Sequence, residues 1–210
     1  MDLIAGRVEG AFSGLLRLPD QAHTSRSMLI LLHQIMRASV PMMESARRGS
    51  QTRSTAEVVC AQLAAYLETH IEEERQHDIW VLEDLETIGV DPANVLARVP
   101  PPYVASLVGA QYYWIEHFHP VAILGYMAAL EGYPPSGELI DRLQTLSGLP
   151  DTAFRTCRKH GDLDPNHTLE LDRFLDTLTL TEGQRAVVGI SAAHTMTHLA
   201  HAFESLASRS

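Results

Sequence analysis

Residues 54–89 read STAEVVCAQLAAYLETHIEEERQHDIWVLEDLETIG, and their apolar side chains recur every three or four positions. That period is typical of an amphipathic α-helix. Ser54 and Glu57 have the capping-box spacing that opens a helix, and Gly89 followed by Pro92 is a typical end. The pattern predicts the longest helix of the chain, with little inside it to break it.

The same period recurs along the rest of the chain, and a polar stretch at 49–53 and prolines at 100–102 and 134–135 separate its segments. Pro120 lies inside one segment and predicts a bend there, because a proline removes a helical hydrogen bond. The sequence predicts an all-α bundle of about seven helices in a single domain over residues 1–210. Four other predicted helices span about 24–48, 103–131, 136–147 and 151–160, and a fifth starts near 164–165. The last predicted helix begins with a Thr181–Gln184 capping box and runs to about 207.

The composition narrows the classes of protein to consider. The formal net charge is -10 and 45% of the residues are apolar. Such a chain can bury a continuous core, and its charge repels nucleic acids and anionic membranes. Two distant cysteines and an N-terminus without a long apolar run favour the cytoplasm.

Eleven histidines against one lysine are the most unusual feature of the composition. Within the predicted helix over residues 54–89, one helical face carries His70, Glu74 and His77. Glu74-x-x-His77 is the spacing that helical bundles use for carboxylate-bridged di-metal centres. The alternative is a solvated charged face with incidental histidines.

A second cluster, HGDLDPNH at residues 160–167, places His160, Asp164 and His167 on one helical face. Imidazole and carboxylate ligands suit iron or manganese. Asp164 precedes Pro165, however, so it could instead be the N-cap of the next helix. A metal site here requires a helix that continues through the proline or kinks at it.

Other candidate residues lie between and beyond these clusters. Glu131 ends a long apolar run, where it is either partnered or exposed at the helix end. His117 belongs to an aromatic patch and is a possible pocket residue. His194, His198 and His201 form a rival ligand face without a carboxylate, or else a surface stripe or an outer shell of the site.

Glu74-x-x-His77, Glu131 and His160-x-x-x-Asp164-x-x-His167, in that order, resemble the motifs of the haem-oxygenase-like di-iron oxidases and oxygenases. That family shares its helical bundle with haem oxygenase, TenA and pyrroloquinoline quinone synthase. The resemblance implies the same fold, two irons per chain, with manganese as the other possible metal, and the following metal ligands: Glu74, His77, Glu131, His160, Asp164 and His167.

The chain departs from the resembled pattern at one position. Some members have a glutamate where this chain has His70. Histidine at this position would make the site richer in histidine and would change its charge. His70 is therefore a possible pocket residue without an assigned catalytic role, and Glu73 is a possible substitute for Glu74.

The resemblance implies an oxidoreductase that uses dioxygen on a small metabolite, such as an amino-acid-like or fatty-acid-like substrate. No nucleotide or flavin fingerprint is present, so electrons would come from a separate donor or from the substrate. The alternatives are a metal-free enzyme like TenA or the quinone synthase, and a non-enzymatic ligand- or haem-binding bundle with His23 or His33 as axial ligand. A homodimer is possible, and nucleic acid and membrane are not expected partners.

Overall fold

The computed structural model describes residues 2–133 and 136–208, except for the side chains of 2–5 and 164–166. Within these ranges there are ten α-helices, two short 3-10 turns at Pro120–Ala122 and Asp151–Phe154, and no β-strand. The all-α prediction is confirmed. The number exceeds seven because the predicted helices over 54–89 and 103–131 are each divided and residues 2–15 and 92–96 form helices that the sequence analysis does not predict, while the two helices predicted around residue 164 are one. The helices are α1 Asp2–Leu15, α2 Gln21–Arg53, α3 Val58–Glu74, α4 His77–Thr87, α5 Pro92–Leu96, α6 Pro102–His117, α7 Ile123–Glu131, α8 Gly137–Ser147, α9 Arg155–Thr177 and α10 Glu182–Ala207.

The predicted continuous helix over residues 54–89 is wrong, because the chain breaks between α3 and α4. Gln76 has φ 76°, a left-handed conformation that a right-handed helix cannot contain. The predicted Ser54–Glu57 capping box is also wrong. Glu57 is itself the N-cap of α3, and its side chain makes no capping hydrogen bond. The break lets α3 end on Glu74 while α4 begins on His77.

The two prolines that bear on the site act in opposite ways. Pro120 lies where a bend is predicted, but it divides the helix predicted over 103–131 into α6 and α7 and opens a 3-10 turn between them. Pro165, in contrast, lies inside α9, so the two helices predicted around residue 164 are one helix of 23 residues. The missing N–H of Pro165 removes one backbone hydrogen bond without ending the helix.

The core forms where α2 and α10 cross the other helices. α10 packs against α1, α6 and α7, and α2 packs against α3, α4 and α6. The predicted Thr181–Gln184 capping box is present at the start of α10. No helix of the described part of the chain is long and apolar enough to cross a membrane.

The contact between α7 and α10 is unusually close at Gly125. A Cβ atom at this position would lie 2.1 Å from the backbone oxygen of Val188 and 2.8 Å from the nitrogen of Ala192. Only glycine fits such an approach of two backbones. This contact sets the position of α7, the helix that ends on Glu131.

Candidate metal centre

Two triads of metal-ligating side chains lie side by side in the bundle. The first consists of His70, Glu131 and His167, and the second of Glu74, His77 and His160. Within each triad, one potential ligand atom per residue lies within 4.8 Å of the others. Helices α3, α4, α7 and α9 contribute to the two triads, which is how helical bundles build di-metal sites.

In the first triad, His70 is the most deeply buried residue and contacts carboxylates on both sides. Its Nε2 lies 3.1 Å from Oε1 of Glu131, and its Nδ1 lies 3.6 Å from Oε2 of Glu73. The ring stacks on Tyr66 at a centroid distance of 5.6 Å and meets the ring of His167 edge-on at 5.1 Å. These contacts hold the imidazole in one orientation.

The second triad depends on the break between α3 and α4. Nδ1 of His77 lies 3.1 Å from Oε2 of Glu74, and its ring packs against Trp80 at 4.2 Å. Nδ1 of His160 donates to the backbone oxygen of Thr156 at 2.9 Å, which leaves Nε2 as the available ligand atom. The rings of His77 and His160 meet edge-on at 4.8 Å.

Glu74 connects the two triads. While Oε2 faces His77, Oε1 lies 3.5 Å from Nδ1 of His167. The side chain is 13% exposed, in contrast to 42% for Glu73. A carboxylate with one oxygen toward each of two adjacent ligand groups has the geometry of a bridging ligand.

The buried polar atoms of the first triad fit a metal ion. Oε2 of Glu131 is buried and has no hydrogen-bond partner among the described residues, and the buried Nδ1 of His167 makes no hydrogen bond beyond its 3.5 Å approach to Glu74. An unpartnered buried polar atom is unfavourable unless an ion or another group satisfies it. Imidazole nitrogens and carboxylate oxygens are the donor set that iron and manganese accept.

Burial and the contacts between imidazoles and carboxylates shift the pKa values of side chains in the two triads. Burial opposes charge on His70, but its hydrogen bond with Glu131 and the surrounding carboxylates raise its pKa overall. Burial works against ionised Glu74 as well, yet its hydrogen bond with His77 and the nearby imidazoles lower its pKa. Burial lowers the pKa of His160, which keeps the neutral, metal-ligating form.

A cavity of about 640 Å³ reaches the second triad and Glu131 of the first. Its remaining walls are mostly apolar and come from several helices, and no Lys or Arg occurs among the described residues that line it. The walls include Phe12, Leu29, Met36, Met43, Leu139 and Phe203. Polar residues in the wall include Glu9, Ser13 and Ser136, and also Ser39, whose Oγ lies 2.7 Å from the hydroxyl of Tyr126.

Five of the six ligands implied by the resemblance come together in the two triads. The sixth, Asp164, lies on α9, but its side chain is outside the described residues. The continuous α9 meets the requirement that a helix pass through Pro165. His70 joins the triads as well, and its position one turn before Glu74 on α3 is the signal by which it could have been assigned.

The remaining candidate histidines lie away from the triads. His117 is exposed beside Tyr113, and it is not among the described residues that line the cavity, which corrects its prediction as a pocket residue. His194 contacts Trp114 and His198 in the interface between α10 and α6. His33 is fully buried, but it does not line the cavity either.

A family model for iron-containing redox enzymes matches residues 59–198, which include both triads. The chain belongs to this family. The match covers most of α3 to α10, so it includes every helix that contributes a triad residue. No curated protein matches the sequence significantly.

Two solved structures share the fold. One is a domain of unknown function with a haem oxygenase-like fold from Shewanella denitrificans OS217, with a TM-score of 0.74 and 16% identity over 99% of this chain and 92% of that chain. The other is a TenA homolog from Pseudomonas syringae pv. tomato DC3000, with a TM-score of 0.69 and 11% identity over 100% of this chain and 92% of that chain. The predicted haem-oxygenase-like bundle is thereby confirmed.

Proposed function

We propose that the two triads bind two iron ions and that the chain catalyses a dioxygen-dependent oxidation of a small metabolite with an apolar chain. The observation that carries the proposal is Glu74, whose two oxygens face His77 in one triad and His167 in the other. When bound, a pair of irons supplies the capacity to activate dioxygen. Electrons would come from the substrate or from a separate donor protein.

The cavity supports the proposed class of substrate. Its apolar walls favour a hydrocarbon chain, because burial of apolar surface drives binding. Without a Lys or Arg among the described lining residues, the wall offers no salt bridge to an anionic group far from the metal centre. A polar or anionic head would therefore bind at the triads, and the polar residues along the rest of the wall include Ser39, Tyr126 and Glu9.

The residues of the chain would orient the substrate and exclude water. The apolar cavity wall presents a reacting bond to the centre and strengthens electrostatic interactions by removing solvent. Tyr66 stacks on His70, and the tilted ring of Trp80 packs against His77, which restricts rotation of these imidazoles. Thr156 fixes His160 through its backbone oxygen, so Nε2 faces the centre.

The proposal is tested by iron analysis of protein purified from iron-supplemented cells, followed by anaerobic reduction and exposure to dioxygen under absorption spectroscopy. We expect about two irons per chain and an absorption change on oxygenation. His160→Ala and His167→Ala should lose iron and oxygen consumption. His117→Ala, which changes an exposed histidine, is the matched control and should retain both.

Full iron content and oxygen consumption in both triad variants would contradict the assignment. If protein from cells grown with both metals contained manganese and not iron, the ligand assignment would stand and the metal of the site would be manganese. Reconstitution that fails with either metal would exclude a metal centre at the triads.

A metal-free enzyme is the second candidate, and two hydrogen bonds favour it. His70 with Glu131 and His77 with Glu74 each form an imidazole–carboxylate pair of 3.1 Å beside the cavity. Such pairs can transfer protons to and from an organic substrate. This candidate predicts turnover that is unaffected by removal of metal with a chelator, whereas the di-iron proposal predicts loss of turnover.

A further inference from the structure

A buried carboxylate outside the two triads holds the start of α9 against α4. Asp84 lies on α4 and is 1% exposed. Its Oδ1 accepts the Nε–H of Arg155 at 2.9 Å, and its Oδ2 accepts the backbone N–H of Thr156 at 2.8 Å. Burial of a carboxylate is costly unless such hydrogen bonds satisfy it. The two contacts therefore fix the first turn of α9 relative to α4.

The contact at Thr156 continues into the second triad. Nδ1 of His160, one turn further along α9, donates to the backbone oxygen of Thr156 at 2.9 Å. Thr156 is therefore held by Asp84 through its N–H, while its oxygen holds the imidazole. Because one helical turn connects the two residues, a displacement of Thr156 displaces the His160 ring as well.

Asp84 is the most buried member of a series of contacts that joins α4 to α9 in antiparallel order. The series consists of the hydroxyls of Thr87 and Thr152 at 3.0 Å, Asp84 with Thr156 at 2.8 Å, the ammonium of Lys159 at 3.7 Å from the centroid of Trp80, and the edge-on rings of His77 and His160 at 4.8 Å. Thr152 and Lys159 are exposed, so water competes with their contacts. Asp84 is therefore the contact that solvent weakens least.

We propose that Asp84 is a positioning residue of the second triad, because by holding Thr156 it sets where His160 of α9 stands relative to His77 of α4. The consequence for metal affinity rests on the proposed iron centre. Asp84 is neither a member of the triads nor a residue of the cavity wall, so it acts through Thr156. Removal of a hydrogen-bond partner that orients a metal ligand typically lowers metal affinity by about 10–100-fold.

Arg155 and Thr156 have different parts in this contact. The side chain of Arg155 is 47% exposed and compensates the charge of Asp84 from the surface. Thr156 is 2% exposed, and it alone connects the carboxylate to His160. Arg155→Gln keeps a donor beside Asp84 and leaves the hydrogen bond to Thr156, so it should disturb the second triad less than the loss of Asp84 does.

Arg158 provides the matched control, because it lies two residues after Thr156 and has a similar set of polar contacts. Its guanidinium donates to Asp151 at 3.0 Å and to Asp141 and Gln144 at 2.8 Å each. The two aspartates are 66% and 68% exposed, and none of the three partners is on α4. Arg158→Gln should therefore loosen the start of α9 from its other neighbours without moving it relative to α4.

The tautomer of His160 tests the proposal without any metal. Long-range proton–nitrogen NMR of metal-free protein labelled with ¹⁵N-histidine reports which ring nitrogen carries the proton, and the spectrum of His160→Ala assigns the signal. In the wild type with a neutral ring we expect the proton on Nδ1, which donates to Thr156. Asp84→Ala should show both tautomers of His160, Asp84→Asn, which keeps one acceptor oxygen, should be intermediate, and Arg158→Gln should match the wild type.

Anaerobic iron(II) titration of the same variants is the second measurement. Asp84→Ala should weaken one of the two irons by at least about tenfold and leave the other, whereas Arg158→Gln should retain both. Circular dichroism reports folding, and Asp84→Asn decides by the same criteria if Asp84→Ala does not fold.

The role of Asp84 would be overturned by a folded variant in which His160 keeps its proton on Nδ1 or in which both iron affinities are unchanged. Equal changes in Arg158→Gln would overturn it too, because the general stability of α9 would then explain them. A wild type that binds no iron would contradict the proposed iron centre. In that case the tautomer of His160 in the Asp84 variants would still support or overturn the positioning role.

Discussion

The two triads and the histidine row of α10 have similar sequence spacing and different surroundings. His70 and His77 are seven residues apart in sequence, as are His160 and His167 and also His194 and His201. In the triads, His70 and His77 each contact a carboxylate at 3.1 Å and are buried. Along α10 the rings of His194, His198 and His201 contact one another and Trp114 at the half-exposed surface. The comparison teaches that carboxylate partners and burial, and not histidine spacing, set the triads apart from the histidines of α10.

The largest expected effect comes from the carboxylate that both triads share. Glu74→Gln removes the charge that faces His77 and His167, so iron should fall from about two ions per chain to less than one. Glu73→Gln is the matched control, because Glu73 is adjacent and more exposed and its carboxylate lies 3.6 Å from His70. Iron analysis and oxygen consumption of both variants measure the difference. Greater loss in Glu73→Gln would identify Glu73 as the ligand instead.

The second largest effect should come from Gly125, where α7 rests on the helix that carries the histidine row. A Cβ atom here meets backbone, which cannot yield, so Gly125→Ala should lose about 2–3 kcal/mol of unfolding free energy. The melting temperature should fall by about 5–10 °C. Because α7 ends on Glu131, iron content should fall as well.

Gly109→Ala is the control for this substitution. Gly109 lies in α6, is exposed, and a Cβ atom there would meet nothing within 4 Å. Alanine should therefore raise stability by up to about 1 kcal/mol through helix propensity. Thermal melts that rank the two variants in the opposite order would contradict the close approach of α7 and α10.

The sequence predicted the face of each helix better than the end of each helix. The periodicity placed Glu74, His160 and His167 on inward faces, because side-chain direction follows directly from helical geometry. The break at Gln76 was missed, since a left-handed glutamine reflects tertiary packing and carries no local signal. The continuation of α9 through Pro165, which the sequence leaves open, likewise depends on packing against the other helices.

The contacts that His119 makes with Glu57 and Cys60 near the start of α3 could not be predicted from the sequence. Cys60 and His119 are 59 residues apart, and His119 stands in a turn, where no period relates it to α3. The Glu57 side chain was also assigned to a capping box that does not form. Contacts between a helix start and a distant turn depend on the complete fold, which local patterns do not encode.

A third environment, a buried histidine whose ring makes no hydrogen bond with the described residues, extends the comparison to the effect of pH on stability. Neither ring nitrogen of His33 has a hydrogen-bond partner among the described residues. Burial lowers its pKa, Arg37 adds to this, and Asp78 opposes it. The unfolded chain therefore takes up the proton first, and stability is lost as the pH falls below about 6.5. His33→Leu should melt with less dependence on pH between 7.5 and 5.5. A wild type whose melting temperature falls no more than that of the variant would contradict this.

The smallest effect should come from the middle of the α10 row. His198 has a buried Nδ1 without a hydrogen-bond partner among the described residues, and burial and the neighbouring imidazoles lower its pKa. His198→Ala should retain full iron content, and its unfolding free energy should change by no more than about 1 kcal/mol. The iron content of His198→Ala is compared with that of His160→Ala, because sequence spacing alone does not distinguish these two histidines. Loss of iron in His198→Ala would mean that the row belongs to the centre, and burial with a carboxylate partner would then no longer explain where the metal binds.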